Sequence, residues 1–136
     1  MRFTAEDHSG YFRRSLGSIE ARSDHPAAVR EHLAALVETR LDAAAIDALL
    51  DLQTHGAPIV GDGERTASVL RRLRQWVMLV LIERDLRGLA SLDEVCQAMT
   101  WLARRTSACA MQVAGHELAE TFGIALDADG HPQDLL

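Results

Sequence analysis

Apolar residues recur every three or four positions through most of the chain, which is the spacing of amphipathic helices. The first such segment predicts a helix from about Glu6 to Ile19. The second follows Ser23-Asp24-His25-Pro26, which offers capping side chains and a proline suited to a first helical turn. The apolar stripe of this second helix is Val29, Leu33, Leu36 and Val37.

A third helix is predicted to begin after Asp42 as its cap and to end at Gly56 in a left-handed conformation. Residues 56–63 are too rich in glycine and proline for a regular element, so they form a loop. A fourth helix is predicted from near Glu64 to Arg87, since no glycine or proline interrupts it before Gly88. The short connections predict antiparallel neighbours.

The fifth and longest helix is predicted to begin at Ser91, because Ser91 and Glu94 have the spacing of a capping box. It should extend to Phe122, where Gly123 stops it. Its predicted buried stripe is Val95, Met99, Leu102, Ala103, Thr106, Cys109, Ala110 and Val113. Residues 124–136 form an extended or turning tail. The sequence therefore predicts an all-α fold, a single domain over residues 1–136 with a bundle of about five helices and a non-helical C-terminal tail.

Two surfaces do not fit a bundle that covers all its own apolar residues. The fourth helix is apolar on a second side, where Met78 and Ile82 lie opposite the expected core face. Trp101 lies roughly opposite the predicted core stripe of the fifth helix. Either the fourth helix is central and packed on both sides, or Met78, Ile82 and Trp101 belong to a surface for another domain.

The charged residues exclude several kinds of ligand and reaction. The formal net charge of −6 argues against a broad nucleic-acid-binding surface, and we predict no nucleic-acid partner. All fourteen basic residues are arginine, which excludes a Walker-type lysine and a Schiff-base lysine from this chain. The densest arginine group, which includes Arg71 and Arg74, reads as a solvated helix face with local ion pairs.

Arg84, followed by Asp85, differs from the other arginines. It lies in line with the core positions of the fourth helix, so its guanidinium should be partly buried and must find a carboxylate or backbone carbonyls. We therefore list Arg84, Asp85, Arg71 and Arg74 as candidates for a structural clamp or an anion contact.

No catalytic or metal residue is predicted within the chain. His116-Glu117-x-x-Glu120 lacks the second histidine of a zinc helix. Asp127-x-Asp129-Gly130 lacks the spacing of a calcium loop and predicts a turn instead. Nor does the spacing of serine, histidine and aspartate mark a triad.

The sequence also predicts a cytoplasmic location. The first residues lack the apolar core of a signal peptide, and no apolar run is long enough to span a membrane. Cys96 and Cys109 lie about 20 Å apart on one predicted helix, which is too far for a disulfide, so both thiols should be unpaired. We also expect both to be buried.

A resemblance adds to this picture. Leu70-Arg-Arg-Leu-Arg74, Met78, Arg84-Asp-Leu86 and Leu92-Asp-Glu-Val95, with the closing residues 129–136, resemble the glutamine synthetase adenylyltransferase family. The segment from His8 to Arg14 is loosely similar to the first helix of that family. The chain departs from the family pattern at Trp76, Val77 and Val80, where many members have charged residues.

The resemblance implies an N-terminal helical part of a bifunctional enzyme that transfers AMP from ATP to glutamine synthetase and removes it by phosphorolysis. It implies control by glutamine and the PII signalling protein, and a Mg²⁺- and ATP-dependent nucleotidyltransferase domain downstream, with a Gly-rich turn and paired aspartates. None of those residues lies in this chain, so we expect a scaffold without bound cofactor. The alternative is a free-standing helical module for protein interaction or dimerisation.

Overall fold

The computed structural model describes residues 5–57, 59 and 62–133. Its five helices are α1 (Ala5–Glu20), α2 (Pro26–Glu38), α3 (Ala43–Thr54), α4 (Gly63–Leu86) and α5 (Leu92–Phe122). Within these residues the only bridge between extended segments is the isolated antiparallel pair of Leu126 and Pro132. The predicted all-α bundle with a non-helical tail is therefore confirmed.

α4 is the central helix, because it packs against each of the other four. Leu73, Val77 and Val80 are fully buried on one side. Toward the other side Leu79 is 3% exposed, and Met78 and Ile82 are partly buried. The second apolar side of α4 is thus covered within this chain. Of the two interpretations of that side, the structure supports the central helix packed on both faces.

Side-chain caps fix the start of three helices. The carboxylate of Asp42 accepts the Ala45 N–H at 2.9 Å, that of Asp62 accepts the Arg65 N–H at 3.0 Å, and the Ser91 hydroxyl accepts the Glu94 N–H at 3.1 Å. α2 differs from the prediction. Its cap residue is His25, whose side chain makes no capping hydrogen bond, whereas the predicted place of Pro26 in the first turn is confirmed.

Residues with positive φ end three helices. α3 stops at His55, which is left-handed with a φ of 52°, and Gly56 follows with a φ of 70°. The prediction that Gly56 itself ends α3 was therefore wrong by one residue. Gly88 and Gly123 have φ values of 70° and 80°, so the predicted ends of α4 and α5 are confirmed.

The buried stripe of α5 is rotated relative to the prediction. Ala98 is fully buried, whereas Met99 is 36% exposed. The other buried positions of this stripe are Glu94, Leu102, Cys109 and Val113. Cys96 is exposed, so the prediction that both thiols are buried was wrong for it. Glu94 lies on this buried side and pairs there with Arg84.

The tail after α5 folds back on itself. The Asp127 N–H donates to the His131 carbonyl at 2.8 Å, and the Asp127 carboxylate accepts the N–H groups of Asp129 and His131. The predicted turn at residues 127–130 is thus confirmed. No helix in the described residues is both long and apolar enough to cross a membrane.

Candidate functional site

A buried ion pair connects the middle of the bundle. Arg84 and Glu94 are each 5% exposed. Arg84 Nε donates to Glu94 Oε1 at 2.8 Å, and Nη2 donates to Oε2 at 3.1 Å, which is a bidentate arrangement. Arg84 also donates to the carbonyl of Val37 at 2.7 Å and to that of Leu89 at 3.1 Å. The predicted burial of Arg84 and its pairing with a carboxylate and carbonyls are confirmed.

Glu94 is held ionised by these contacts. Burial alone would raise the pKa of Glu94, but hydrogen bonds from Arg84 and from the Leu41 N–H, at 3.1 Å, together outweigh it and lower the pKa. Both carboxylate oxygens are directed to these donors rather than back to the Ser91 amide. The second half of the predicted capping box is therefore wrong, because a buried guanidinium needs that carboxylate more than an exposed amide does.

The pair joins five parts of the chain: α4, α5, the last turn of α2, the connection from α2 to α3 and the connection from α4 to α5. Its members are buried and their polar atoms point at each other, so the geometry favours a structural clamp over an anion contact. Asp85, the neighbour of Arg84, is exposed and pairs with no described cation.

A second ionic cluster, missed by sequence reasoning, lies beside the first. Arg87 donates to Glu83 at 2.7 Å and to Glu38 at 2.8 Å, and the hydrogen bond to Glu83 raises the pKa of Arg87. Glu83 is 1% exposed, and its Oε2 has no partner among the described residues. The i,i+4 spacing of Glu83 and Arg87 was the available sequence signal.

Arg71 and Arg74 lie elsewhere. Both are exposed, and along α4 Arg74 is about 15 Å from Arg84. Arg71 lines a groove between α1 and α4, which Arg74 does not. The structure therefore does not gather the four predicted clamp or anion candidates into one site.

The residues predicted to face another domain also separate. Met78 and Ile82 are partly buried, and their contact with another domain stays a prediction. Trp101 is 43% exposed, with the Arg104 guanidinium 5.4 Å from its ring centroid. Only Trp101 of these three side chains lies on an accessible apolar face.

That face continues along α5 as a seam with alternating steps of three and four residues. We define the α5 seam as Trp101, Arg104, Ala108, Met111, Gly115, Leu118 and Phe122, all exposed. Leu118 is 56% exposed and Phe122 is 81% exposed. Beyond the helix, Ile124 and Leu126 are 66% and 58% exposed. This spacing is that of the a and d positions along one helix of a coiled coil, which pack against the partner helix.

The seam is separate from the core side of α5. On a helical wheel it lies roughly 130° away from the stripe of Ala98, Leu102 and Cys109. The sequence analysis identified Trp101 as a surface residue but not the other residues of the seam. It did not recognise Met111, Leu118 and Phe122 as a second apolar row on α5. Their common spacing was the signal that could have found them.

A family model and several related proteins identify the same family for this chain. The model of the family described as glutamate-ammonia ligase adenylyltransferase matches residues 15–136. A protein named bifunctional glutamine synthetase adenylyltransferase/adenylyl-removing enzyme, from Bordetella pertussis, is 40% identical over 87 residues, which are 63% of this chain and 9% of that protein. Proteins of the same name from Aromatoleum aromaticum and Ralstonia nicotianae are 39% identical over 75 residues and 43% identical over 68 residues.

Those two matches cover 55% and 49% of this chain and 8% and 7% of the relatives. The matched segments are thus a small part of each relative's length. No solved structure matches the chain significantly.

Proposed function

Because the chain belongs to the glutamate-ammonia ligase adenylyltransferase family, we propose that it is the helical N-terminal part of a bifunctional enzyme that adenylylates glutamine synthetase and removes the adenylyl group. The names of its relatives support that activity. The chemistry is assigned to a nucleotidyltransferase domain of the same polypeptide, which uses ATP and Mg²⁺. Glutamine synthetase and PII are the proposed partners of the whole enzyme.

Within that enzyme, the segment is proposed to be a scaffold for the adenylyl-removing half. The observation that carries this proposal is the α5 seam. An exposed row of Met111, Leu118 and Phe122 is unusual for the surface of a folded monomer, and such a row commonly marks an interface. The seam leads directly into residues 124–133, whose Ile124 and Leu126 extend the apolar surface past the helix.

The bundle is suited to hold that seam in place. α5 has 31 residues and is about 46 Å long, and its first half is anchored by Ser91 and by the Arg84–Glu94 pair. The carboxylate of Glu117, on α5, lies beside the N-terminus of α4. It is 3.0 Å from the position that a Cβ atom would occupy at Gly63. A carboxylate near a helix N-terminus is stabilised by the unpaired amides there. The seam is therefore presented on a supported helix.

A chimera tests this function. The corresponding segment of the Bordetella pertussis enzyme is replaced by this chain, and transfer of AMP to glutamine synthetase and its phosphate-dependent removal are measured. We expect the chimera to be active, and the double substitution Leu118→Asp with Phe122→Asp to lower adenylyl removal at least about tenfold through loss of apolar contacts.

The matched control replaces two exposed residues outside the seam, Gln97→Asp and Thr121→Asp, which add the same charge to α5. Equal activity of the seam variant and the control would refute the scaffold role. Turnover by the 136-residue chain alone would refute the assignment of chemistry to another domain.

A second candidate, a self-associating module, is favoured by the same spacing in the seam. Sedimentation of the isolated chain separates the two. A tight dimer that the Leu118→Asp and Phe122→Asp substitutions dissociate would support the module, whereas a monomer with dye-binding apolar surface supports the scaffold.

A further inference from the structure

A groove of about 380 Å³ lies between α1 and α4, and no residue of α5 lines it. Its walls carry Arg22 from the turn after α1, and Arg71 and Arg72 from α4. Ser68 and Gln75 add a hydroxyl and an amide. This volume falls in the range of pockets that hold small ligands.

The charge of the groove is one-sided. None of the described residues that line it is acidic. Among the described residues, no salt bridge pairs Arg22, Arg71 or Arg72 with a carboxylate, whereas Arg30, Arg40, Arg84, Arg87 and Arg105 each have one. In a protein with a net charge of −6, three guanidinium groups around one concavity without a carboxylate are a local exception.

The groove also reaches the core. Ile19 and Trp76 line it and are 5% and 2% exposed, so they form its apolar floor. The indole Nε1 of Trp76 is buried and has no hydrogen-bond partner among the described residues. A buried donor without an acceptor is costly, and an acceptor or a bridging water that reaches Nε1 offsets that cost.

We propose that this groove binds a phosphate group, either as inorganic phosphate or as part of a small phosphate ester. Guanidinium groups hold phosphate oxygens through paired, charge-assisted hydrogen bonds, and the fixed fork of arginine suits that geometry better than lysine does. Ser68 and Gln75 supply neutral donors for the remaining oxygens. The site is independent of the α5 seam and of the function proposed above.

The test uses the 136-residue chain with Trp101→Phe, which leaves Trp76 as its one tryptophan. Inorganic phosphate, AMP and adenosine are titrated at low ionic strength, with affinity measured by calorimetry and location reported by Trp76 fluorescence. Phosphate and AMP should both bind saturably and change the emission, whereas adenosine should not bind. Tighter binding of AMP identifies an ester as the preferred source, and equal binding identifies the free anion.

A pair of charge-matched variants separates a site from general attraction. Arg71→Ala with Arg72→Ala removes two groove arginines, and Arg65→Ala with Arg74→Ala removes two arginines of the same helix that do not line the groove. The first variant should raise the Kd for phosphate at least about tenfold. The second should change it less than about twofold, because salt screens exposed charges at a distance.

Far-UV circular dichroism and the urea midpoint establish that both variants fold like the parent. Three results would overturn the proposal: no saturable binding of phosphate or AMP, equal weakening by the two variants, or binding of adenosine as tight as that of AMP.

Discussion

The two halves of α5 differ in how they are held. In residues 92–109, the helix is capped by Ser91, clamped through Glu94 and packed through Ala98, Leu102 and Cys109. In residues 110–122, Val113 is the one buried residue. The same helix therefore has a closed half, one side of which is capped, clamped and packed within this chain, and an open half with a single buried side chain. The exposed seam begins at Trp101 in the closed half and continues through the open half.

This difference shows that continuity of a helix does not imply uniform stability. A helix of about 13 residues is marginal in water by itself, and in residues 110–122 tertiary contacts are few, among them those of buried Val113 and of Glu117 beside Gly63. The open half persists because the closed half nucleates it, and its apolar side chains contribute little in the isolated chain. They are available to contribute on docking.

The largest expected effect comes from the clamp of the closed half. Glu94→Gln leaves the buried guanidinium of Arg84 without an ionised partner and should lower the free energy of unfolding by about 3–5 kcal/mol. The same change in the open half, Glu120→Gln, should cost less than about 0.5 kcal/mol because Glu120 is exposed. Urea denaturation measures both. A cost below about 1 kcal/mol for Glu94→Gln would contradict the clamp.

A matched pair of leucines gives the next largest difference. Leu102 is 4% exposed and Leu118 is 56% exposed. Leu102→Ala should destabilise the chain by about 2–5 kcal/mol through lost burial and cavity formation. Leu118→Ala should cost less than about 0.5 kcal/mol. Thermal or urea unfolding of the two variants checks this, and similar costs would mean that the open half is packed in solution.

Loss of the cap should have a smaller effect. Ser91→Ala leaves the Glu94 N–H without its acceptor and should cost about 1 kcal/mol. Ser107→Ala, at an exposed position inside α5, should be neutral or slightly stabilising because alanine is the better helix former. We expect urea unfolding to show a lower unfolding free energy for Ser91→Ala and an unchanged or slightly higher one for Ser107→Ala. Equal losses for the two variants would exclude a capping role for Ser91.

The pH dependence should be the smallest effect. The pKa of Glu94 is lowered in the folded chain, so its stabilisation is fully present above the unfolded-state pKa of a glutamate, about 4.3. It is lost as the pH falls through the lower folded-state pKa. The difference in unfolding free energy between the parent and Glu94→Gln should therefore shrink over that range. If the difference in unfolding free energy instead grew on acidification, the pKa of Glu94 would be raised in the folded chain, contrary to this prediction.

Much of the fold follows from local rules that the sequence displays. Asp42, Gly88, Ser91 and Gly123 mark helix boundaries because capping and positive φ depend on nearby residues. Positive φ begins at His55, one residue before Gly56, since a non-glycine residue can adopt that conformation at modest cost.

The candidate sites were less predictable because they depend on contacts between distant residues. The sequence required a partner for Arg84 but could not identify Glu94, which local spacing assigned to a capping box. Ala98, one turn after Glu94 on the same side of α5, is buried in place of the predicted Met99. The two apolar sides of α4 were visible, but whether this chain covers them depends on how four other helices pack.

The most direct test of the account is amide hydrogen exchange along α5, in the isolated chain and in the chimera with the Bordetella pertussis enzyme. The account predicts that amides of the closed half are protected in both proteins, while those of residues 110–122 exchange fast in the isolated chain and become strongly protected in the chimera. Equal exchange of residues 110–122 in the two proteins, whether fast or slow, would contradict the claim that the α5 seam is a docking surface.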